Sequence, residues 1–134
     1  MPASLPVQAR QLFTISLLTF FCFQDTNAQT FTVFSKAGRA TIVYDSKGPA
    51  LDSISAYLLR DDIGKVSGTA PEVVNDLSKA TGSVIVIGNA SSDLINRLVP
   101  GRTAWKDSLS GKWERYGYKT LKNPFENIKQ AFII

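Results

Sequence analysis

Residues 82–99 read GSVIVIGNASSDLINRLV, and the reading of this stretch decides the fold. Val84, Ile85, Val86 and Ile87 are apolar at consecutive positions and all β-branched, Gly88 ends the run, and Leu94, Ile95, Leu98 and Val99 then recur at helical spacing. The pattern is strand, tight turn, helix. A strand that is apolar on both faces lies inside its sheet, so the rest of the chain must supply neighbouring strands and at least one covering helix.

Working outward toward the amino terminus, 69–74 carries Pro71 and then a short extended piece, and 75–82 is a polar connection into the central strand. Before it, 46–68 has the composition of the best helix in the chain. Ser46 is a candidate cap, Pro49 sits near the first helical position, Leu51, Ile54, Leu58, Ile63 and Val66 are read as one broad buried face, and Gly68 follows the last turn. Gly64 inside the helix costs about 1 kcal/mol relative to alanine. Residues 30–35 and 41–44 are two β-rich runs around Gly38, the pattern of a hairpin on one edge of the sheet. Toward the carboxyl terminus, Pro100 and Gly101 stop the second helix, 103–110 allows one helical turn, and 113–121 and 131–134 read as strands. The closing AFII run needs a further element to cover it, which predicts a marginal domain prone to association. The expected fold class is α/β, a mixed β-sheet of five or six strands with two main helices.

The chain has 134 residues, 44% hydrophobic and 19% charged, which fits a single globular domain. Its first 28 residues read as a secretory signal peptide: Arg10 is the positive segment, an apolar run follows, and Ala28 closes a small-residue cleavage site. That run is short for a membrane span, which needs about 20 residues. Residues 29–134 are then the mature domain, secreted or periplasmic in a bacterial host and free of the membrane once the leader is cut. The net charge of +4 is spread singly among carboxylates rather than gathered in a block, so nucleic acid is not an expected partner. There is no histidine, and the one cysteine, Cys22, leaves with the leader. This excludes Ser-His and Cys-His nucleophile pairs, a histidine general base and zinc sites of the His/Cys kind.

Three features are candidates for a site. The loop from Gly88 to Asp93 lies between the carboxyl end of a strand and the amino end of a helix, where an anion can be held, but the glycine fingerprint of a phosphate site is missing. Ser91 or Ser92 serves equally as a plain helix cap. Glycoside hydrolysis needs two opposed carboxyl groups, and the chain offers Asp61, Asp62, Glu72, Asp76 and Glu114. Asp61 and Asp62 diverge on a helix, and solvated or ion-paired roles suit all five. Trp105, Trp113, Tyr116 and Tyr118 can stack on a sugar ring, although core packing is the commoner fate of strand aromatics. Asn89, Ala90 and Ser91 also form a glycosylation sequon, which has no meaning in a bacterium. Catalytic, cofactor-binding and metal-binding residues are therefore all assigned as none.

Four pieces in order, DDIGKVSGTAP (61–71), VIVIGN (84–89) with its following LINRLV, SGKWE (110–114) and NPFENIKQAFII (123–134), resemble the amino-terminal region of glycoside hydrolase family 115, the secreted xylan α-1,2-glucuronidases. In that family these are a helix end with its glycine cap, a central strand, the lead into the next strand, and a strand before a glycine- and arginine-containing loop. The loop after Gly88 is shorter here than the family tends to have it. The resemblance implies an accessory, non-catalytic amino-terminal domain, incomplete at its carboxyl end. A TIM-barrel domain of the same polypeptide would follow, contact the xylan and supply the acidic residues that remove 4-O-methylglucuronic acid. None of those residues maps onto this chain. The alternative from a different class is a free-standing exported module that binds a glycan or a protein.

Overall fold

The structure, a computed structural model, describes residues 30–35 and 38–134; the expected leader, with Arg10, Cys22 and Ala28, lies outside the described residues. Along the chain come β1 (Phe34–Ser35), β2 (Gly38–Arg39), β3 (Thr41–Tyr44), α1 (Ala50–Ser67), β4 (Val73–Val74), a 3-10 turn (Leu77–Lys79), β5 (Gly82–Ile87), α2 (Asp93–Leu98), α3 (Ala104–Leu109), β6 (Lys119–Phe125) and β7 (Ile128–Ile133). The architecture is α/β with a mixed five-stranded sheet in the order β4-β3-β5-β7-β6. β4, β3, β5 and β7 run parallel, and β6 closes one edge antiparallel to β7.

The stretch 82–99 forms what its pattern dictates. β5 is the middle strand, and its alternation sends Ile85 to one face of the sheet and Val84 and Val86 to the other. On the first face Ile42 of β3 and Ile85 meet Ala56 of α1, whose lack of a longer side chain lets the helix approach closely. On the second, Val43, Val84 and Val86 pack under Ile95, Leu98 and Val99, with Ala131 and Ile133 of β7 in the same cluster. Full burial of each Val or Ile contributes about 1.5 to 3 kcal/mol, so these two clusters supply most of the driving force. The result is three layers, with α1 on one side of the sheet and α2 and α3 on the other.

Four expectations are corrected. Residues 30–35 and 41–44 do not pair with each other: the hairpin is the short β1–β2 ribbon, and β3 joins the main sheet as an interior strand. The α1 cap is Pro49, not Ser46, and the helix turns Asp52, Ala56, Leu59 and Ile63 toward the sheet. Leu51 (66% exposed), Ile54 (53%) and Leu58 (61%) face out, as does Val66. Residues 113–118 form no strand; β6 begins at Lys119. The closing apolar run is not left uncovered either, because β7 lies between β5 and β6, with Ala131 and Ile133 fully buried and Ile134 N–H donating to the Val86 carbonyl at 2.9 Å.

Gly64 is more than a weak point in α1. A Cβ built there would lie 3.2 Å from the Ala70 Cβ and 3.3 Å from its Cα, so glycine lets the chain fold back tightly from α1 toward β4. Gly68 ends the helix at φ 75°, donating its N–H to the Gly64 carbonyl at 2.9 Å.

Candidate functional site

The chain leaves β3 for β4 on one side and returns to β5 on the other, so the strand order reverses between β3 and β5. In open α/β sheets ligands favour the crevice at the carboxyl ends of the strands beside such a reversal. Here that crevice is filled. Asp45 N–H donates to the Ile87 carbonyl at 3.3 Å, a Cβ on Gly88 would lie 3.7 Å from the Asp45 Cβ, and Lys47 approaches Asp93 at 3.8 Å across the gap.

The turn after β5 is equally committed to itself. Asn89 Oδ1 accepts from the Ser91 N–H at 3.0 Å and from the Ser91 hydroxyl at 2.7 Å. Ser92 is the α2 cap, its hydroxyl accepting from Ile95 N–H at 3.2 Å, while its own N–H goes to the Asn89 carbonyl at 2.9 Å. Of the two candidate caps it is therefore Ser92 that caps, and these N–H groups are occupied by the protein's own oxygens rather than turned to an anion.

The open space lies on the other side of β5. A cleft of about 870 Å³ is bounded by the β5–α2 turn, by α3, and by the irregular strap 110–117, with Ile134 at its inner end. Thr103 caps α3, its hydroxyl accepting from Lys106 N–H at 3.3 Å, and this sets the helix so that Trp105 packs on the main core cluster. The strap crosses close over α3 because residue 117 is glycine: a Cβ there would be 3.1 Å from Leu109 Cδ1 and Cδ2 and from Trp105 Nε1. Trp105 Nε1 is buried without a hydrogen-bond partner. On the strap, Trp113 (89% exposed) and Tyr116 (87%) carry their rings in solvent, and just past it Tyr118 stacks on Phe132 with centroids 5.8 Å apart. Core packing thus holds for Trp105 and fails for Trp113 and Tyr116.

Lys106 is only 8% exposed, and its ammonium donates to Asn96 Oδ1 at 2.6 Å and to the Gly101 carbonyl at 3.2 Å. Arg102 is held by Asp107 at 2.9 and 3.1 Å. Arg115 donates to the Ser108 carbonyl at 3.2 Å and Lys112 stands beside it on the strap. Nothing in the sequence marked these cations as a group, since Arg102 comes from a loop, Lys106 from α3, and Lys112 and Arg115 from the strap.

The five candidate carboxylates are distributed over α1, the approach to β4, the 3-10 turn and the strap. Asp61 pairs with Arg60 at 2.6 Å and Asp62 with Lys65 at 3.2 Å, both on α1. Glu72 precedes β4, and Asp76 caps the 3-10 turn, where the Ser78 N–H at 2.9 Å holds its carboxyl below the usual range. Glu114 sits on the strap at φ 55°. Among the described residues no group of three or more carboxylate, histidine or cysteine side chains is placed to hold a metal ion, and no helix is long and apolar enough to cross a membrane. Compared with known proteins, the chain matches no family model and no curated protein.

Proposed function

We propose that this chain is the non-catalytic amino-terminal domain of a secreted xylan α-1,2-(4-O-methyl)glucuronidase, exported by the leader at 1–28 and acting beside a catalytic barrel of the same polypeptide. The observation that carries the reading is the ordered set of four family-like pieces from 61–71 to 123–134. In the fold these pieces fall on four successive parts of the domain. The first ends α1 at the Gly68 cap, the second is the middle strand β5, the third leads from α3 into the strap before β6, and the fourth is the β6–β7 hairpin. The non-catalytic half of the reading is supported by the partners that the candidate carboxylates take. Both glycosidase mechanisms need an acid and a second carboxylate about 5 to 9.5 Å apart across the bond. Asp61, Asp62 and Asp76 are instead each spent on a neighbour in sequence.

The test is hydrolysis. The purified chain releases no 4-O-methylglucuronic acid from glucuronoxylan oligosaccharides, whereas the product of the reading frame continued past Ile134 does. Turnover by the short chain that Asp76→Ala or Glu114→Ala abolishes would overturn the reading. The free-standing binding module is the second reading, favoured by one observation, the open cleft with solvent-exposed rings.

A further inference from the structure

We infer that the outward face of α1 is a self-association surface, on which a second copy of this chain packs its own α1 antiparallel about a two-fold axis. The inference rests on the surface of this domain alone and not on the glucuronidase reading.

The apolar stripe comes first. Leu51, Ile54 and Leu58 recur at i, i+3 and i+7 in the amino-terminal half of α1, and each is more than half exposed. Spacing of this kind makes a seam for a second helix, and a monomer seldom leaves such a run in water. Toward the carboxyl end of α1 the segment 31–34 lies alongside Asp62, Ile63, Val66 and Ser67, whereas the stripe itself is left open.

Charge then selects the occupant and its direction. The outward face continues beyond Leu58 into Asp61 and Asp62, while Lys47 stands two residues before the Pro49 cap, at the positive end of the helix. Two copies packed in parallel would set Asp61 and Asp62 against themselves, which repels. An antiparallel pair does the reverse. With Leu51 against Leu58 of the second copy, Ile54 comes to the axis, and Asp62 falls beside Lys47 and the helix amino terminus of that copy. The symmetry makes each of these contacts twice. Sliding the pair one turn toward the carboxyl ends puts Asp61 or Asp62 on Leu51, and sliding it the other way carries Leu58 past Pro49. The apolar and charged positions therefore agree on one register. Their present partners compete little: Lys47 reaches Asp93 only at 3.8 Å and Asp62 meets Lys65 at 3.2 Å, with all four side chains largely in solvent. The stripe is smaller than a standard interface, so the dimer is weak, with a dissociation constant on the order of 100 µM.

The test is sedimentation equilibrium on the chain beginning at Gln29. Both core clusters lie between residues 31 and 133, so removing the leader takes away none of the described packing. The surface predicts a monomer–dimer equilibrium between about 5 µM and about 1 mM protein. Leu58→Gln raises the dissociation constant at least about tenfold while the melting temperature of the dilute monomer stays unchanged. Lys47→Glu and Asp62→Lys each raise it about threefold or more, and the two together return it to within about twofold of the starting value. A chain that stays monomeric throughout overturns the surface. A dimer that Leu58→Gln leaves intact places the interface elsewhere and overturns the face, and charge reversals that fail to compensate overturn the antiparallel register. None of these outcomes involves hydrolysis, so the inference and the glucuronidase reading fail separately.

Discussion

At the third position of a helix a carboxylate ordinarily reaches back to the backbone N–H of the capping residue, and at Asp52 that N–H does not exist, because the cap is Pro49. The next N–H back, that of Gly48, is donated to the Asp45 carbonyl at 3.1 Å. Asp52 is 9% exposed, and its Oδ2 has no partner. Burial first, and the nearby charge of Asp45 second, raise its pKa above the ordinary 3.8. The helix amino terminus pulls the other way by about 0.3 to 1 kcal/mol, so the direction of the shift says that desolvation wins. A carboxyl whose folded pKa is raised binds more protons folded than unfolded. Its cost is therefore absent below the unfolded value near 3.8 and grows as pH rises through the folded value. Asp52→Asn should stabilise the domain by about 1 to 2 kcal/mol at pH 7 in urea denaturation, and the gain should vanish near pH 3. A gain that is equal at both pH values would mean the charge is not the cause. Gly48 is part of the same arrangement, since a Cβ there would run into the Asp52 carboxylate. Gly48→Ala should cost about 1 to 3 kcal/mol, and less in an Asp52→Ala background, a coupling that a double-mutant cycle measures directly. The proline three positions before an acid was visible in the sequence, and it is the one cue from which an orphaned carboxylate could have been read.

Among the elements, β5 with its turn and α2 was legible because the evidence for it is local: the apolar period changes from every residue to helical spacing at Gly88, and nothing distant competes. The face of α1 was not legible. The helix carries two apolar stripes, Leu51, Ile54 and Leu58 on one and Ala56, Leu59 and Ile63 on the other, and summed hydrophobicity favours the first. Packing chose the second, where the small Ala56 lets the helix settle on Ile42 and Ile85. Leu58→Gln should therefore change stability by no more than about 0.5 kcal/mol, while Ala56→Leu, which forces the helix off the sheet, should cost about 1 to 3 kcal/mol. Equal costs in thermal or urea melts would place Leu58 in the core and reverse the assignment. The strap was misread for a related reason. Alternation of aromatics over 113–121 suggests a strand, but Glu114 at φ 55° and the Gly117 crossing over Leu109 and Trp105 keep it out of the sheet until Lys119. With the strap misread, the cleft it walls was invisible as well, and its cations looked like an ordinary scattered surface.

For the whole molecule, the α/β class and the mixed sheet follow from local patterns, whereas the interior position of β3 and β7 depends on pairings between residues far apart in sequence. Thr41 pairs with Val84 and Val86 with Ile133, contacts that no short window reveals. Function is less legible still, because the residues that stand out in the sequence, the five carboxylates and the strap aromatics, lie on separate elements and form no recognisable motif. The central claim, that this chain is the leading non-catalytic part of a larger exported glucuronidase, is tested most directly on the host's own product. Antibody raised against the chain is used to capture that product from the culture medium or periplasm, and its intact mass, amino terminus and glucuronidase activity are measured. The account predicts a polypeptide beginning at Gln29, extending well beyond Ile134, and releasing 4-O-methylglucuronic acid from glucuronoxylan. A stable product that ends at Ile134 and releases none would contradict it.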